Sequence, residues 1–434
     1  MEKGTVLIHI DEKQRDTHAM LWITFYLQEF GFDVYLCNRV NRSFLWEKLK
    51  PDIMIDSHIN YYDEHTLAHM TKFTKLLILP AEGAIFNKHV LDLLYLGEKR
   101  SKKNNIKYVS KFLIWGNKNR QWLLEQNIID EKKMEVVGCP RYDIYKNFKP
   151  KNPSKIGILT MFKTINIFDG RSIIKLIDEL KYRQGYNFDK NRNVEDLFWY
   201  YVSGCRVVLE SIENLCSKND FVIKIRPHQT EAPHNYNFLT EKYNNRVVID
   251  MNDSFYEWLE NVYALIVIKS TSMIEALLMG IPVISLENLM GDRLDDHMRM
   301  PDSRIPFLRY CWNPKTYDEL VELCDKAKRG ELKPSPDMQG FEQLTHDFFD
   351  YPRKEPSSLT IAKIVKETYE QDISFFKRKK INHSMYKYLN YHGINRLIAL
   401  KNSRSEMIKS NYFPWEKNVY LAAKRNWEKY IKSF

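Results

Sequence analysis

Short apolar runs alternate with longer amphipathic segments along the first 145 residues of the chain. The runs are rich in Val, Ile and Leu, which predicts buried strands, and the segments between them, such as Asp16–Phe30, carry the spacing of helices. Strand–helix alternation of this kind is typical of a doubly wound parallel α/β sheet. The predicted strands are Thr5–Ile10, Phe32–Cys37, Asp52–Asp56, Lys75–Leu79, Lys111–Trp115 and Met134–Val137.

A second alternating region follows the polar, proline-containing stretch Lys146–Ser154, which is the best candidate for a linker. The pattern predicts one domain over 1–148, a second over 155–372 with an insertion at 163–218, and a tail over 373–434. The predicted strands of the second domain are Lys155–Thr160, Phe221–Ile225 and Arg246–Asp250, and its helices are Asn193–Leu215, Ser254–Asn261, Thr316–Lys328 and Leu359–Gln371.

Cysteine usage and the N-terminus favour a cytoplasmic protein. The six cysteines are scattered without a CxxC pair, which indicates reduced thiols and argues against a zinc site. The first residues lack the apolar core of a signal peptide, and no window approaches the roughly eighteen apolar residues that a membrane span needs. A hydrophobic content of 44% and a charged content of 28% are those of an ordinary globular chain.

The positive charge is concentrated at the end of the chain. Residues 373–434 hold 14 lysines and arginines against 3 acidic residues, whereas the whole chain has a net charge of +10. The body is therefore nearly neutral, which argues against nucleic-acid binding. Aromatic residues such as Trp415, Trp427 and Tyr430 interleave with the basic ones, and this mixture predicts helices that dock on an anionic membrane surface. The alternative is a set of helices that pack on the body.

Two segments of the second domain carry candidate phosphate-binding chemistry. Phe221–Glu231 is a β-branched run that ends in Arg226-Pro227-His228, and alternation along the strand predicts that both basic side chains face the same side. A guanidinium and an imidazole there would neutralise charge on a phosphate leaving group. The alternative for the pair is a salt-bridged arginine and a structural histidine.

The second segment, Ala264–Glu287, reads as a strand, a Ser-Thr-Ser turn, a helix, a Gly-x-Pro turn and a further strand. Hydroxyls and bare N–H groups at a helix start either cap the helix or bind phosphate while capping it. Glu275, one turn into the helix, could accept a ribose hydroxyl or lie on a solvated face. The candidate nucleotide-binding residues are thus Arg226, His228, Ser270, Thr271, Ser272 and Glu275.

Candidate catalytic residues lie in the first domain. Glu82 follows a predicted buried strand, and a carboxylate that is half desolvated there would have a raised pKa and could act as a general base. The alternative is a loop carboxylate without chemistry. An acidic cluster at Asp292, Asp295, Asp296 and His297 suggests a solvated loop rather than a metal site.

Six pieces of the sequence resemble the GT-B glycosyltransferases of bacterial surface-carbohydrate biosynthesis, a group related to the capsule Kdo and sialic acid transferases. They are Lys13–Asp16, Leu79–Gly83, Trp115-Gly116, Gly138–Asp143, Arg226–His228 and Ser270–Pro282. The resemblance implies two Rossmann-like domains facing a cleft, with the nucleotide donor in the second and no catalytic metal. It also implies Glu82 as the catalytic carboxylate with Asp16 in reserve, and Arg15 and Arg141 as acceptor-binding residues.

The resemblance predicts transfer of a sugar from a nucleotide donor to a cell-surface polysaccharide or a lipid-linked acceptor, and it favours a CMP-activated acidic sugar as the donor. The basic tail would then hold the enzyme on the inner face of the cytoplasmic membrane. Three alternatives remain open at this point. The same fold serves CDP-polyol phosphotransferases and nucleotide-sugar 2-epimerases, and a non-catalytic GT-B-like scaffold in a polysaccharide assembly complex would also fit.

Overall fold

The computed structural model describes residues 4–59, 62–81, 91, 105–127, 129–162, 165–167, 194–251, 254–293, 306–372 and 417–432. The chain divides into two compact units. The first comprises Met1–Asn147 together with Glu342–Phe434, and the second comprises Phe148–Phe341. Each unit is built on one parallel sheet, which confirms the predicted fold class.

The first unit has a six-stranded parallel sheet with the order β2-β1-β3-β4-β5-β6. Every predicted strand of this half is present, and its observed ends differ from the predicted ones by at most two residues. The strands are β1 Thr5–Ile10, β2 Asp33–Asn38, β3 Ile53–Asp56, β4 Lys75–Ile78, β5 Val109–Ile114 and β6 Met134–Val136. The helices described between them are α1 Lys13–Glu29, α2 Arg42–Leu49, α3 Glu64–Met70 and α4 Asn117–Glu125.

The second unit has a five-stranded parallel sheet with the order β11-β10-β7-β8-β9. Its strands are β7 Lys155–Leu159, β8 Ile223–Arg226, β9 Val247–Ile249, β10 Val262–Val267 and β11 Val283–Ser285. The helices described here are α5 Val194–Lys218, α6 Asn237–Lys242, α7 Phe255–Leu259, α8 Met273–Leu278 and α9 Tyr317–Lys328. Within the insertion predicted at 163–218, the structure describes residues 165–167 and helix α5, and the rest lies outside the described residues.

A glycine in β7 lets α7 pack close to the sheet. A Cβ atom built on Gly157 would lie 2.8 Å from the indole of Trp258, which is closer than real Cβ contacts come. Trp258 is fully buried and lies over β8, where its ring is 5.2 Å from Lys224 Nζ and 5.9 Å from the Arg226 guanidinium carbon. The missing side chain at Gly157 therefore helps to place an aromatic cover over the basic end of β8.

The structure divides the chain differently from the sequence prediction, which placed all of 155–372 in one domain. Helix α10 spans Met338–Phe349, and α11 spans Ser357–Gln371, which belongs to the first unit and packs against α1. The buried carboxylate of Asp143 accepts the backbone N–H groups of Ser357 and Ser358, at 2.7 and 2.8 Å, at the start of α11. An acid at a helix N-terminus is favourable, but this partnership across 214 residues leaves no local signal in the sequence.

The end of the basic tail also packs on the first unit. Helix α12 (Lys417–Asn426) continues into a π-helical turn at Trp427–Ile431, and both cover α1. The Trp427 ring lies 5.3 Å from Phe25 and 5.2 Å from Tyr26, centroid to centroid. For 417–432 the structure therefore agrees with the alternative of helices packed on the body, while 373–416 lie outside the described residues. Among the described helices, none has a stretch both long and apolar enough to cross a bilayer.

Candidate functional site

The candidate polar residues of the second unit lie at the carboxyl ends of strands beside the place where its sheet changes direction. Strand β7 lies between β8 and β10, so the chain connections leave it on opposite sides, and ligands of such sheets bind outside the carboxyl ends of the strands at this point. The segments that follow the three strands begin at Thr160, Pro227 and Ile268. Among the predicted nucleotide-binding residues, Arg226 ends β8 itself, and the others follow β8 or β10.

Glu231 joins the ends of β7 and β8, and the sequence analysis missed it. Its side chain is fully buried. Oε1 accepts the backbone N–H of Phe162 at 2.8 Å and of His228 at 3.2 Å, and the Thr160 hydroxyl at 3.0 Å. Oε2 accepts the hydroxyl of Tyr236. Burial raises the pKa of Glu231, and these hydrogen bonds partly offset the rise. The carboxylate thus ties the loop after β8 to the end of β7.

His228 is half-buried in that loop, and Thr230 determines which of its nitrogens carries the proton. The backbone N–H of Thr230 donates to Nδ1 at 3.3 Å, and the Thr230 hydroxyl oxygen lies 2.8 Å from the same nitrogen. A backbone N–H can only donate, so Nδ1 must be the acceptor. The neutral ring therefore carries its proton on Nε2, which is then a hydrogen-bond donor.

Arg226 is the last residue of β8 and is buried beneath α7. Its guanidinium carbon lies 5.9 Å from the ring centroids of both Phe255 and Trp258, a cation–π arrangement. Because the strand ends at Arg226, the alternation argument that placed His228 on the same side does not extend to His228. The structure therefore puts Arg226 under an aromatic cover and His228 in the turn beyond it.

The Ser-Thr-Ser turn starts α8, as the sequence predicts, but without the expected side-chain cap. Ser272 is the N-cap residue and makes no side-chain cap hydrogen bond, while the Ser270 hydroxyl accepts the Ser272 N–H at 3.2 Å. Ser270, Thr271 and Ser272 are all half-buried, and so is Glu275 in the first turn of α8. One of the three hydroxyls therefore stabilises the turn itself.

A buried ion pair that the sequence analysis missed precedes this turn. Lys269 Nζ lies 2.5 Å from Glu287 Oε1, and the lysine is almost entirely buried. The same ammonium lies 5.4 Å from the Tyr200 ring of α5. Burial and the Glu287 charge raise the pKa of the Tyr200 hydroxyl. The pair fixes the end of β10 against the segment that follows β11.

In the first unit, the contacts of Asp16 favour a structural role over the predicted catalytic one. Arg15 Nε donates to Asp16 Oδ1 at 2.8 Å, and Arg15 Nη2 donates to Oδ2 at 2.9 Å. Asp16 Oδ2 also accepts the backbone N–H of Glu12 at the start of α1, at 3.0 Å. Arg15 further donates to Asp11 at 3.0 Å. Arg15 and Asp16 thus form a bidentate pair that caps their own helix.

A buried polar network lies where β1 and β3 end, at the switch point of the first sheet. His9 Nδ1 lies 3.0 Å from Asp56 Oδ1, and Arg42 Nη1 lies 3.3 Å from Asp56 Oδ2. Asp56 also accepts the Ser57 backbone N–H at 2.7 Å and the Tyr62 hydroxyl. Burial would raise the pKa of Asp56, but His9 and Arg42 outweigh it and hold that pKa well below its usual range.

The remaining candidates are only partly described. Glu82 and the residues Asp295, Asp296 and His297 lie outside the described residues, as does the side chain of Asp292. Arg141 lies in a 3-10 helical turn, with its guanidinium carbon 5.3 Å from the Trp115 ring. In the part of the chain that the structure describes, no group of three or more His, Cys, Asp or Glu side chains is arranged to hold a metal ion.

Comparison with known proteins gives a fold but no sequence family. No family model matches the sequence, and no curated protein matches it. The H444N variant of the wall teichoic acid polymerase TagF is similar in structure, with 12% identity and a TM-score of 0.51 over 86% of this chain and 90% of that chain.

Two further solved structures are also similar. The UDP-GlcNAc 2-epimerase of Methanocaldococcus jannaschii, in complex with UDP-GlcNAc and UDP, has 12% identity and a TM-score of 0.48 over 84% of this chain and 99% of that chain. A putative UDP-N-acetylglucosamine 2-epimerase from Listeria monocytogenes has 10% identity and a TM-score of 0.49 over 85% of this chain and 98% of that chain. At 12% identity and a TM-score of 0.51, the likeness to TagF shows the fold alone. The chain has the GT-B fold.

Proposed function

We propose that this chain is a glycosyltransferase that moves a sugar from a nucleotide donor to a cell-surface polysaccharide or a lipid-linked acceptor. The observation that carries the proposal is the arrangement after β8, where Glu231 ties the turn to the end of β7, the strand at which the sheet changes direction, and His228 has its proton on Nε2. Open α/β sheets bind ligands at such positions. An N–H donor there suits a phosphate oxygen, which can only accept a hydrogen bond.

The phosphate or diphosphate of the nucleotide donor would bind in the second unit. His228 Nε2–H would donate to a phosphate oxygen, and the buried charge of Arg226 would favour negative charge nearby. Ser270, Thr271 and Ser272 would add hydroxyl and backbone donors, and Glu275 would accept a ribose hydroxyl. As the bond from the sugar to the phosphate breaks, these donors would stabilise the charge on the leaving nucleotide.

The first unit would supply the acceptor side. Glu82 stays our proposed general base, on the resemblance of the sequence around it to transferases of surface carbohydrates. Asp16 is a weaker proposal, because both of its oxygens already serve Arg15 and the start of α1. Arg15 and Arg141 remain proposed acceptor-binding residues, and membrane docking through 373–434 remains a prediction from the tail's charge.

Nucleotide titration tests the donor site. We expect calorimetry of the full chain with CMP, CDP and UDP to show selective binding of one of them. His228→Ala should weaken that binding about tenfold or more, because a hydrogen bond to a charged group is lost. His234→Ala is the matched control, since His234 is an exposed histidine in the next turn, and it should bind like the wild type. Equal losses in both variants, or no binding of any nucleotide, would contradict the proposal.

The products then separate the transferase from its rivals. The protein is incubated with a sugar that is activated by the nucleotide selected in the titration. A transferase then releases nucleotide in amounts that rise when a glycan or lipid-linked acceptor is added. A 2-epimerase would instead convert the donor sugar without any acceptor. A CDP-polyol phosphotransferase would require a CDP-activated polyol, and a scaffold would bind without turnover. The low-identity likenesses do not choose among these, because function depends on the site rather than the fold.

A further inference from the structure

The turn after β8 prepares His228 for one kind of ligand atom. A neutral histidine whose Nδ1 accepts from Thr230 can only donate at Nε2. Such a nitrogen recognises an atom that has lone pairs and no proton of its own. Phosphate oxygens near neutral pH have this property, whereas a sugar hydroxyl could bind either tautomer.

Two neighbours of His228 in the chain, Thr230 and Glu231, create this state. Glu231 accepts the backbone N–H groups of His228 and Phe162 with the same oxygen, which fixes the turn against the end of β7. Within the fixed turn, the Thr230 N–H points at His228 Nδ1, and the Thr230 hydroxyl adds a second contact at 2.8 Å. Glu231 itself is fully buried, so it acts on a ligand only through the turn.

We infer that Glu231 and Thr230 are positioning residues for His228: Glu231 holds the turn, Thr230 selects the Nε2–H tautomer, and the site is thereby matched to a phosphate oxygen. This inference rests on the proposed donor site and deepens it. Neither residue has to touch the ligand. A merely structural Glu231 or Thr230 would affect folding but would not change the protonation pattern of the His228 ring.

Nitrogen NMR of the full chain labelled with 15N-histidine tests the tautomer directly, without any ligand. The His228 signals are identified by their loss in His228→Ala. Near neutral pH we expect the neutral His228 ring to show a protonated Nε2 and an unprotonated Nδ1. The opposite pattern, or an even mixture of tautomers, would overturn the inference whether or not nucleotides bind.

Substitutions at 230 then test the role of the Thr230 side chain. Thr230→Val keeps the shape but removes the hydroxyl at Nδ1, so we expect a partial shift toward the other tautomer and nucleotide affinity about five- to tenfold weaker. Thr230→Ser keeps a hydroxyl, so its His228 tautomer and its nucleotide affinity should match those of the wild type. If Thr230→Val matches the wild type in tautomer and affinity, the assigned role of its hydroxyl is wrong.

Glu231→Gln provides the second variant, with nearly the same shape. Its amide would place a donor where Oε2 now accepts the side-chain hydroxyl of Tyr236, so the turn should loosen. We expect a mixed His228 tautomer in a folded protein, and an unchanged tautomer would contradict the role of Glu231. The two proposals fail in distinguishable ways. A correct tautomer in a wild-type chain that binds no nucleotide overturns the donor site and the phosphate assignment, whereas binding with the wrong tautomer overturns only the positioning role.

Discussion

Replacing Asp56 by asparagine should lower the free energy of unfolding by about 3 to 5 kcal/mol, because it removes the charge that balances a buried network. Asp56 contacts His9 at 3.0 Å and Arg42 at 3.3 Å, and both partners are buried with it. An asparagine cannot offer two charged acceptor oxygens to these groups. Urea unfolding followed by tryptophan fluorescence measures the change.

Glu370→Gln is the matched control for this substitution. It removes a carboxylate from an exposed ion pair with Lys366 in the same unit, and such pairs contribute at most about 1 kcal/mol. We therefore expect a small effect. If Asp56→Asn costs no more than Glu370→Gln, the network around Asp56 is not a source of stability.

The pH dependence of the same variant has a definite sign. The pKa of Asp56 is depressed in the folded chain, so its contribution to stability is complete above its unfolded value of about 3.9 and is lost as the pH falls below it. Asp56→Asn should lack the part of the acid-induced loss of stability that comes from protonation of Asp56. The stability difference between the variant and the wild type should therefore shrink below about pH 4. A constant difference down to pH 3 would contradict the assignment.

Trp427→Ala should also destabilise the first unit, by about 3 to 5 kcal/mol, which is typical of deleting a large buried aromatic side chain. Trp427 is 4% exposed and packs against Phe25 and Tyr26 of α1. Thermal and urea unfolding measure the change. Because this end of the chain covers α1, its removal would expose an apolar face rather than release a separate tail.

Leu421→Ala provides the control on the same helix. Leu421 is 41% exposed, so its truncation should cost far less than that of Trp427. If the two substitutions have equal and small effects, residues 417–432 do not form part of the core. Membrane docking, which the sequence predicted for the whole tail, then becomes the better account of this segment.

The strands and most helices were predictable because their signal is local. The strands Thr5–Ile10 and Val262–Val267 are mostly apolar and almost entirely buried, as expected for strands that are covered on both faces. The Ser-Thr-Ser turn was found for the same reason, since hydroxyls before an amphipathic stretch mark a helix start. These patterns also fix which residues follow each strand.

The partners of the site residues were not predictable, since they come from distant segments. Glu231 acquires its role from Phe162 and Thr160, and Asp56 from His9 and Arg42, and nothing in the local sequence separates either acid from a surface carboxylate. The division of the chain into two units was not predictable for the same reason. Helix α11 packs against α1 in the first unit, and Asp143 of that unit accepts two N–H groups at its start from a position far away in the chain.

The most direct test of the central claim is a crystal structure of the full chain with the nucleotide that calorimetry selects. The account predicts the phosphate groups of the nucleotide at the carboxyl ends of β7, β8 and β10, with a phosphate oxygen within hydrogen-bond distance of His228 Nε2. Density for the nucleotide in the first unit, or phosphate groups that leave His228 Nε2 without contact, would contradict it.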